Sequence, residues 1–296
     1  MIKPTLMCNL HCKYCYHENV RTPEKMNIET VKSILNKCKK YDQIKMVWHG
    51  GEPLLMGLDF YQEVLKLQDN RFLNEFQTNL TLLSDDWIDF ILLNKIQIGT
   101  SLDGVEEIHN MNRDNSFKRV IDNIKKLQIK NINISGIATI TSESLPYLYE
   151  NFQLFQSINM RLNPAISNGI NIRVNLKAYE FALKFYYDLW LGTDKKMNIR
   201  PLSDIENFLN GNHTNGCLYG NNCVGVSDAI LPNGDVYFCG RLAGVSGWVG
   251  NVHDSNFKFG VENLLTKKYN IENQTRIEKC KSCEYFNMCR GGCFTN

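Results

Sequence analysis

The sequence predicts an α/β fold in which six βα units form a parallel sheet, open or curled into part of a barrel, followed by a small cysteine-rich domain. Over the first two thirds of the chain, short apolar segments alternate with amphipathic segments of helical spacing. Beyond residue 210 the chain is rich in cysteine and glycine and has few apolar residues. We therefore expect this second part to need metal in order to fold.

Six short apolar segments are the predicted strands of the sheet: 2–7, 45–51, 75–80, 96–102, 132–140 and 160–166. Three of the predicted helices follow an amino-terminal cap residue: 28–40 after Asn27, 85–94 after Ser84, and 117–129 after Ser116. Two further helical segments, 176–191 and 204–210, lead to a polar stretch at 210–216. We place a domain boundary there, which gives domains 1–210 and 211–296.

The second domain contains one predicted β-hairpin. Its strands are 229–231 and 235–238, joined by Pro232, Asn233 and Gly234, and Asn-Gly is a common turn signal.

Composition and charge exclude several classes of protein. The chain has 296 residues, of which 43% are hydrophobic and 22% charged, as in globular proteins, and its net charge is only +2. Its lysine pairs are scattered, so no nucleic-acid partner is expected. The apolar stretches are shorter than the roughly 20 residues of a membrane span, and the seven residues before Cys8 are too few for a secretory signal. We expect a cytoplasmic protein without a membrane partner.

Three cysteines follow the first predicted strand within eight residues: Cys8, Cys12 and Cys15. They lie at the carboxyl end of the sheet, where α/β folds place their active sites. The chain has 11 cysteines and no route to an oxidising compartment, so metal binding is favoured over disulfides. A 4Fe-4S cluster held by three thiolates keeps one iron open for a further ligand. The alternative is structural zinc, with His11 or His17 as the fourth ligand.

At these residues the chain resembles the radical S-adenosylmethionine (radical SAM) superfamily, whose cysteine intervals of three and two residues are matched by Cys8, Cys12 and Cys15. The resemblance implies a partial (β/α)6 barrel of the TIM type. It also implies that SAM binds the open iron and is cleaved by one electron to a 5′-deoxyadenosyl radical. Tyr14 falls where the family packs an aromatic ring against the adenine, the alternative being a plain packing residue. Residues 77–79 are expected to face the same site by position alone.

Two more segments resemble the SAM-binding parts of this family. Gly50, Gly51 and Glu52 follow the second strand and resemble the motif that binds the SAM amino group, although a glycine pair after a strand is often only a turn. Ser101 and Arg113 resemble the segment with which the sulfatase-maturase branch holds the SAM carboxylate and ribose. For Arg113 the alternative is a solvated charge or a local ion pair.

Seven cysteines of the second domain resemble the SPASM extension of radical SAM enzymes. The resemblance rests on Gly234, five residues before Cys239, and on intervals of two, five and three residues from Cys280 to Cys293. It implies two auxiliary 4Fe-4S clusters, the first held by Cys217, Cys223, Cys239 and Cys293, and the second by Cys280, Cys283 and Cys289.

The cysteine ligand set of the second auxiliary cluster is incomplete. This cluster is therefore open at one iron, closed by another ligand such as His213 or His253, or smaller. The alternative is a four-thiol zinc site formed by Cys280, Cys283, Cys289 and Cys293.

Enzymes with this extension mostly modify ribosomally made peptides or protein side chains. The resemblance implies hydrogen abstraction from such a substrate, oxidation or cross-linking of the resulting carbon radical, and a small electron donor such as flavodoxin or ferredoxin. Sulfatase maturases, the branch with the most similar segments, carry an acid directly after the third SPASM cysteine, whereas Gly240 follows Cys239 here.

We therefore expect a peptide maturase that forms a cross-link or another side-chain modification. The alternatives are formylglycine formation and, more remotely, a non-catalytic iron-sulfur electron carrier. Four candidates for the missing base are not ranked by the sequence: Asp228, Asp235, Tyr237 and Asp254.

Overall fold

A computed structural model describes residues 1–166, 176–193, 197–212 and 223–294. The strands are β1 Ile2–Thr5, β2 Ile44–Gly50, β3 Phe72–Thr78, β4 Gln97–Ser101, β5 Ile134–Ile140, β6 Arg161–Ile166, β7 Ala229–Ile230, β8 Asp235–Tyr237 and β9 Trp248–Asn251. The helices are α1 Ile28–Lys37, α2 Leu58–Leu67, α3 Asp85–Leu93, α4 Glu106–Asn112, α5 Phe117–Ile129, α6 Leu148–Ser157, α7 Leu176–Leu191, α8 Leu202–Leu209, α9 Leu264–Glu278 and α10 Phe286–Cys289.

All six predicted strands of the βα units are present, within three residues of their predicted ends. Two of the three predicted helix caps are confirmed, because the side chains of Asn27 and Ser84 accept hydrogen bonds from the backbone of α1 and α3. The third prediction is half right. Helix α5 begins at Phe117 as predicted, but Ser116 makes no side-chain cap, since its hydroxyl donates to the carbonyl of Arg113 (2.7 Å).

The chain divides into two compact units, and each contains part of the strand order. Unit 1 comprises Met1–Met7, Val20–Leu73 and Asp204–Asn296, and it contains the order β2-β1-β7-β8-β9. In it β1 pairs in parallel with β2 and β7, whereas β7, β8 and β9 pair antiparallel, so the predicted hairpin is confirmed as β7 and β8. The boundary at residue 210 remains a prediction.

Unit 2 comprises Cys8–Asn19 and Asn74–Ser203. Strands β3, β4, β5 and β6 pair in parallel in that order, with register pairs such as Thr78 to Thr100 and Ser101 to Ile137. Their buried apolar side chains are those expected of a parallel sheet covered on both faces. The carboxyl ends of these strands meet at one edge, where Asn79 follows β3 and Asp103 follows β4.

Three elements near the carboxyl end were not predicted: β9, helix α9 and helix α10. Helix α9 buries the polar side chains of Thr266 and Asn273 beside Ile277, so its sequence carries no clear apolar stripe. Asn263 caps it by accepting hydrogen bonds from the backbone of Leu265 and Thr266. Within the described ranges, no helix has the length and hydropathy needed to cross a membrane.

Candidate active site

The loop from Cys8 to Cys15 follows β1, and all three of its cysteines are half-buried. Burial raises the pKa of the Cys12 thiol to about 11, and Cys15 and Cys8 are close enough to raise it further. The Cys12 thiol thus lies in a desolvated neighbourhood with two further soft thiol donors close by, a donor set that suits an iron-sulfur cluster. Among the described residues no three Cys, His, Asp or Glu side chains converge in metal-binding geometry. The fit to a cluster therefore rests on the donor set and its spacing.

Backbone hydrogen bonds fix the cysteine loop against the segment after α4. The Lys13 N–H donates to the carbonyl of Asn112 (3.1 Å), and the His11 N–H donates to the carboxylate of Asp114. Histidine 11 also pairs with Asp114 through its ring, and its side chain is 78% exposed. The ring of His11 therefore pairs with a surface carboxylate, and this contact disfavours His11 as a fourth ligand to zinc.

Cys8 lies beside the end of β3. The side-chain amide of Asn79 donates to the Cys8 sulfur (3.7 Å) and to the side-chain oxygen of Asn9 (3.0 Å). Asn9 in turn donates to the hydroxyl of Thr81 (2.7 Å). Asn79 was predicted to face the site by position alone, and the structure brings it to the first cysteine.

Cys12 and Tyr14 lie beside a buried ion pair. The Arg113 guanidinium donates from Nε to the Asp103 carboxylate (3.1 Å) and from Nη1 to the Cys12 sulfur (3.7 Å). The Tyr14 hydroxyl donates to the same carboxylate oxygen of Asp103, and Arg113 lies 5.3 Å from the centre of the Tyr14 ring. The Asp103 side chain is fully buried, and its other oxygen accepts from the Thr139 N–H (3.1 Å).

The local ion-pair alternative for Arg113 is thus the contact that the structure shows. Burial alone would lower the pKa of this guanidinium, but the charge of Asp103 and the other acidic neighbours raise it above its ordinary value. The roles of Arg113 and Tyr14 toward SAM remain predictions. Asp103 is a functional candidate that the sequence analysis missed, although an aspartate at the end of an apolar strand was the available signal.

A chain of hydrogen bonds connects Asp103 to the backbone of Arg113. The Asp103 N–H donates to His109 Nδ1 (3.4 Å), His109 Nε2 pairs with the Ser116 hydroxyl (2.9 Å), and that hydroxyl donates to the Arg113 carbonyl (2.7 Å). Burial lowers the pKa of His109 to about 4, so its ring is neutral. A neutral ring protonated at Nε2 satisfies every bond of this chain.

Gly50, Gly51 and Glu52 lie in unit 1, directly beside the end of β1. The N–H groups of Gly51 and Glu52 donate to the carbonyls of Thr5 (3.0 Å) and Met7 (2.9 Å). A Cβ atom on Gly50 would lie 2.3 Å from the Thr5 carbonyl oxygen, and one on Gly51 would lie 2.0 Å from that of Met7. Both positions therefore require glycine, as the motif predicts.

Glu52 and His49 are tied to the backbone around these glycines. The fully buried carboxylate of Glu52 accepts from the Leu54 N–H (3.0 Å). His49 Nδ1 accepts from the Gly50 N–H (2.6 Å), and burial lowers the pKa of His49 to about 4. Ser101, the remaining predicted SAM residue, ends β4 in unit 2 and is half-buried.

The carboxy-terminal cysteines fall into two neighbourhoods. Burial raises the pKa of Cys223, and the charges of Cys293 and Cys239 raise it further, so these three thiols lie near one another. Their predicted partner Cys217 lies outside the described residues, as does His213.

Cys280 and Cys283 lie in the tight turns that follow helix α9, and Cys289 is the last residue of helix α10. The Cys283 N–H donates to the Cys280 carbonyl (3.0 Å), and the Cys289 N–H donates to the Tyr285 carbonyl (2.8 Å). Arg276 binds the carbonyls of Gly291 and Gly292 just before Cys293.

His253, a predicted alternative ligand, pairs instead with the hydroxyls of Thr30 (3.2 Å) and Ser33 (3.3 Å) on α1.

Comparisons with known proteins identify a family and several similar proteins. The family model of the radical SAM superfamily matches residues 2–154, which include the cysteine triad, the glycine motif, Ser101 and Arg113. A cysteine-type anaerobic sulfatase-maturating enzyme of Clostridium novyi is 26% identical over 330 residues, covering 100% of this chain and 87% of that enzyme. A serine-type anaerobic sulfatase-maturating enzyme of Bacteroides thetaiotaomicron is also 26% identical, covering 100% of this chain and 82% of that enzyme.

Two solved structures have the same fold. Native anSMEcpe with bound AdoMet superposes with a TM-score of 0.87 at 25% identity, over 99% of this chain and 88% of that chain. SuiB of Streptococcus suis bound to its precursor peptide SuiA superposes with a TM-score of 0.71 at 19% identity, over 100% of this chain and 71% of that chain. The α/β fold is thus the partial TIM-type barrel that the resemblance implied, and the enzyme uses SAM and a 4Fe-4S cluster. The chain belongs to the radical SAM superfamily.

Proposed function

We propose that this enzyme oxidises a side chain of a ribosomally made peptide or protein, forming a cross-link or a similar modification. Peptide substrates are supported by two neighbours, anSMEcpe with a bound Kp18Cys peptide and SuiB with its precursor peptide. The observation that carries the choice of reaction is Gly240, which stands after Cys239 where sulfatase maturases have an acid.

The surroundings of Gly240 are cationic. Its carbonyl accepts a hydrogen bond from Lys3 Nζ (2.6 Å), and Lys3 is fully buried on β1. A Cβ atom on Gly240 would lie 2.6 Å from the sulfur of Met1. Position 240 thus offers no carboxylate, and the ammonium of Lys3 would pair with a carboxylate introduced there.

The other candidate bases differ in chemistry. The Asp235 carboxylate accepts hydrogen bonds from the side chains of Asn233 (2.7 Å), Trp248 (3.1 Å) and Asn251 (3.0 Å), which hold it within the hairpin region. Burial raises the pKa of Asp228, whose Oδ2 accepts from the Gly260 N–H (3.3 Å). A raised pKa suits a proton acceptor near neutral pH, which keeps Asp228 as a candidate base.

The cysteine triad Cys8, Cys12 and Cys15 would hold the radical-forming cluster. The residues proposed to bind SAM are Gly50, Gly51 and Glu52 of unit 1, and Tyr14, Ser101 and Arg113 of unit 2. Bound SAM supplies, on one-electron reduction, the radical that takes a hydrogen atom from the substrate.

The auxiliary clusters would be held by the seven carboxy-terminal cysteines. After hydrogen abstraction the substrate radical must lose one more electron, and the auxiliary clusters would accept it. A small protein such as flavodoxin or ferredoxin would supply the electron that cleaves SAM.

Formylglycine formation is the second candidate. Similarity to the sulfatase-maturating enzymes along the whole chain favours it. Gly240 opposes it, because loss of a general base typically lowers a rate by about 10² to 10⁴-fold.

The test compares two classes of peptide under anaerobic conditions with the reconstituted enzyme. A peptide that carries the cysteine-type sulfatase motif should give 5′-deoxyadenosine but little or no aldehyde. Peptides encoded beside the gene should lose two hydrogen atoms at a residue that tandem mass spectrometry locates. Efficient aldehyde formation on the sulfatase peptide would overturn the proposal in favour of formylglycine formation. A variant in which Cys8, Cys12 and Cys15 are all replaced by alanine is the control, and it should form no 5′-deoxyadenosine.

A further inference from the structure

Two side chains from different parts of unit 2 donate N–H groups to sulfurs of the cysteine triad. Asn79 donates to Cys8 and Arg113 donates to Cys12, each over 3.7 Å between nitrogen and sulfur. We propose that these two residues are positioning residues which orient the two cysteines and raise the reduction potential of the cluster they hold. This inference rests on the proposed role of the triad as cluster ligands.

The Arg113 guanidinium is locked in place. Its side chain is 10% exposed, and Asp103, whose side chain is 0% exposed, accepts from its Nε. The same carboxylate accepts from the Tyr14 hydroxyl and from the Thr139 N–H, so Asp103 cannot swing away without breaking three bonds. The Nη1 group is thereby held toward Cys12 rather than free to follow solvent.

The backbone of Arg113 is held as firmly as its side chain. Its carbonyl accepts from Ser116, and Ser116 is connected through neutral His109 to the backbone of Asp103. This chain closes a loop between the two partners of the ion pair. Asp103 thus holds the guanidinium of Arg113 directly and its carbonyl through His109 and Ser116. The position of the guanidinium is therefore set by the protein and does not depend on a ligand.

The amide of Asn79 has only one orientation that satisfies its neighbours. Its side-chain oxygen accepts from the N–H (2.9 Å) and the hydroxyl (2.7 Å) of Thr81, so its NH2 group must face the other way. That direction holds the Cys8 sulfur and the oxygen of Asn9. Thr81 and Asn9 therefore aim the donor at Cys8.

Hydrogen bonds to cysteine sulfurs, together with nearby positive charge, stabilise the more negative, reduced form of an iron-sulfur cluster. Arg113 supplies a charged donor and Asn79 a neutral one, so Arg113 should have the larger effect. Both residues should raise the potential, which makes the first electron of the reaction easier to deliver. Neither contact requires SAM, and this separates the inference from a role in binding SAM.

The experiment is a redox titration of the reconstituted enzyme without SAM or peptide, followed by electron paramagnetic resonance. The signal of the triad cluster is identified beforehand as the one that changes when SAM is added. Arg113→Gln should lower the ratio of reduced to oxidised cluster at a given potential by about tenfold, equivalent to about 59 mV for one electron. Asn79→Leu should lower it by roughly threefold, since a neutral donor is about half as strong.

Three further variants make the result specific. Arg113→Lys keeps the charge and should recover part of the shift. Arg119→Gln removes an exposed positive charge from the adjacent helix and should leave the potential unchanged. If Arg113→Gln does not fold because it leaves Asp103 unpaired, the double variant Asp103→Asn with Arg113→Gln removes both charges and still lacks the donor to Cys12.

An unchanged SAM-free potential in Arg113→Gln and Asn79→Leu would overturn the inference. If SAM affinity alone fell in Arg113→Gln, Arg113 would be a SAM contact and not a positioning residue for Cys12. The titration uses no peptide, so its outcome is independent of the peptide chemistry. If the reduction potentials shift in these variants but the wild-type enzyme makes formylglycine, this inference stands and the proposed function is refuted.

Discussion

Gly51 provides the most direct test of how the SAM motif is built. In Gly51→Ala the new Cβ would lie 2.0 Å from the carbonyl oxygen of Met7, 2.5 Å from its carbonyl carbon and 2.6 Å from the carbonyl oxygen of Leu6. All three atoms belong to the backbone, so no side-chain rotation relieves the overlap. The segment that leads directly into Cys8 must move by about 1.4 Å to bring the 2.0 Å approach to an ordinary contact of 3.4 Å.

The cost of this movement can be worked from two terms. Overpacking a tightly packed site costs about 1 to 3 kcal/mol. The hydrogen bonds from the Gly51 and Glu52 N–H groups to Thr5 and Met7 contribute about 1 kcal/mol each, and the shift weakens both. We expect Gly51→Ala to lower the free energy of unfolding by about 3 kcal/mol, which corresponds to a melting temperature lower by about 6 to 10 °C.

The assay measures thermal unfolding and equilibrium SAM binding under anaerobic conditions. If half of this 3 kcal/mol is lost from the free energy of SAM binding, SAM affinity falls by about tenfold, since 1.4 kcal/mol is a factor of ten. Gly192→Ala is the matched control. Its Cβ would lie 3.4 Å from the carbonyl oxygen of Leu189, an ordinary contact at the end of α7, so its stability should stay within about 0.5 kcal/mol of wild type. Wild-type stability and SAM affinity in Gly51→Ala would refute this argument.

Two further predictions concern the auxiliary cysteines and pH. Cys280→Ala or Cys283→Ala should retain 5′-deoxyadenosine formation and lose peptide product, and full product by mass spectrometry would exclude an essential second auxiliary cluster. Burial lowers the pKa of His109 to about 4, so its neutral form should stabilise the fold by roughly 3 kcal/mol above pH 6.5, a contribution that is lost as the pH falls toward 4. The melting temperature should therefore fall less between pH 6.5 and pH 5 in His109→Gln than in the exposed-site control His11→Gln, and equal slopes would contradict this role of His109.

Sequence patterns predicted the elements whose causes are local. Asn27 and Ser84 cap helices because each needs only a backbone N–H two or three residues onward. The turn at Asn233 and Gly234 was predictable for the same reason, since Gly234 has a φ of +85° that favours glycine. The spacing of the cysteines likewise predicts metal ligands, and this assignment stays a prediction.

Interactions between distant residues could not be predicted in this way. Even nearby partners can compete with a predicted cap, because the Ser116 hydroxyl bonds to His109 and to the Arg113 carbonyl instead of capping α5. Lys3 and Gly240 are 237 residues apart, so their hydrogen bond has no signature in either local sequence. The direction of Arg113 toward Cys12 likewise depends on Asp103, ten residues earlier, being buried.

The same distinction explains why overall similarity and Gly240 point to different reactions. Positions such as Gly51 against the Met7 carbonyl and Asp103 against Arg113 are tightly constrained by packing, and the similarity to a sulfatase-maturating enzyme, at 26% identity, covers all of this chain. The fate of the substrate depends on far fewer groups, because one proton acceptor decides whether a thiol or hydroxyl can be deprotonated. Where sulfatase maturases have an acid, this chain has Gly240, and the carbonyl of Gly240 accepts a hydrogen bond from the Lys3 side chain. Conserved cofactor chemistry with a changed substrate step is therefore the combination that we propose for this enzyme.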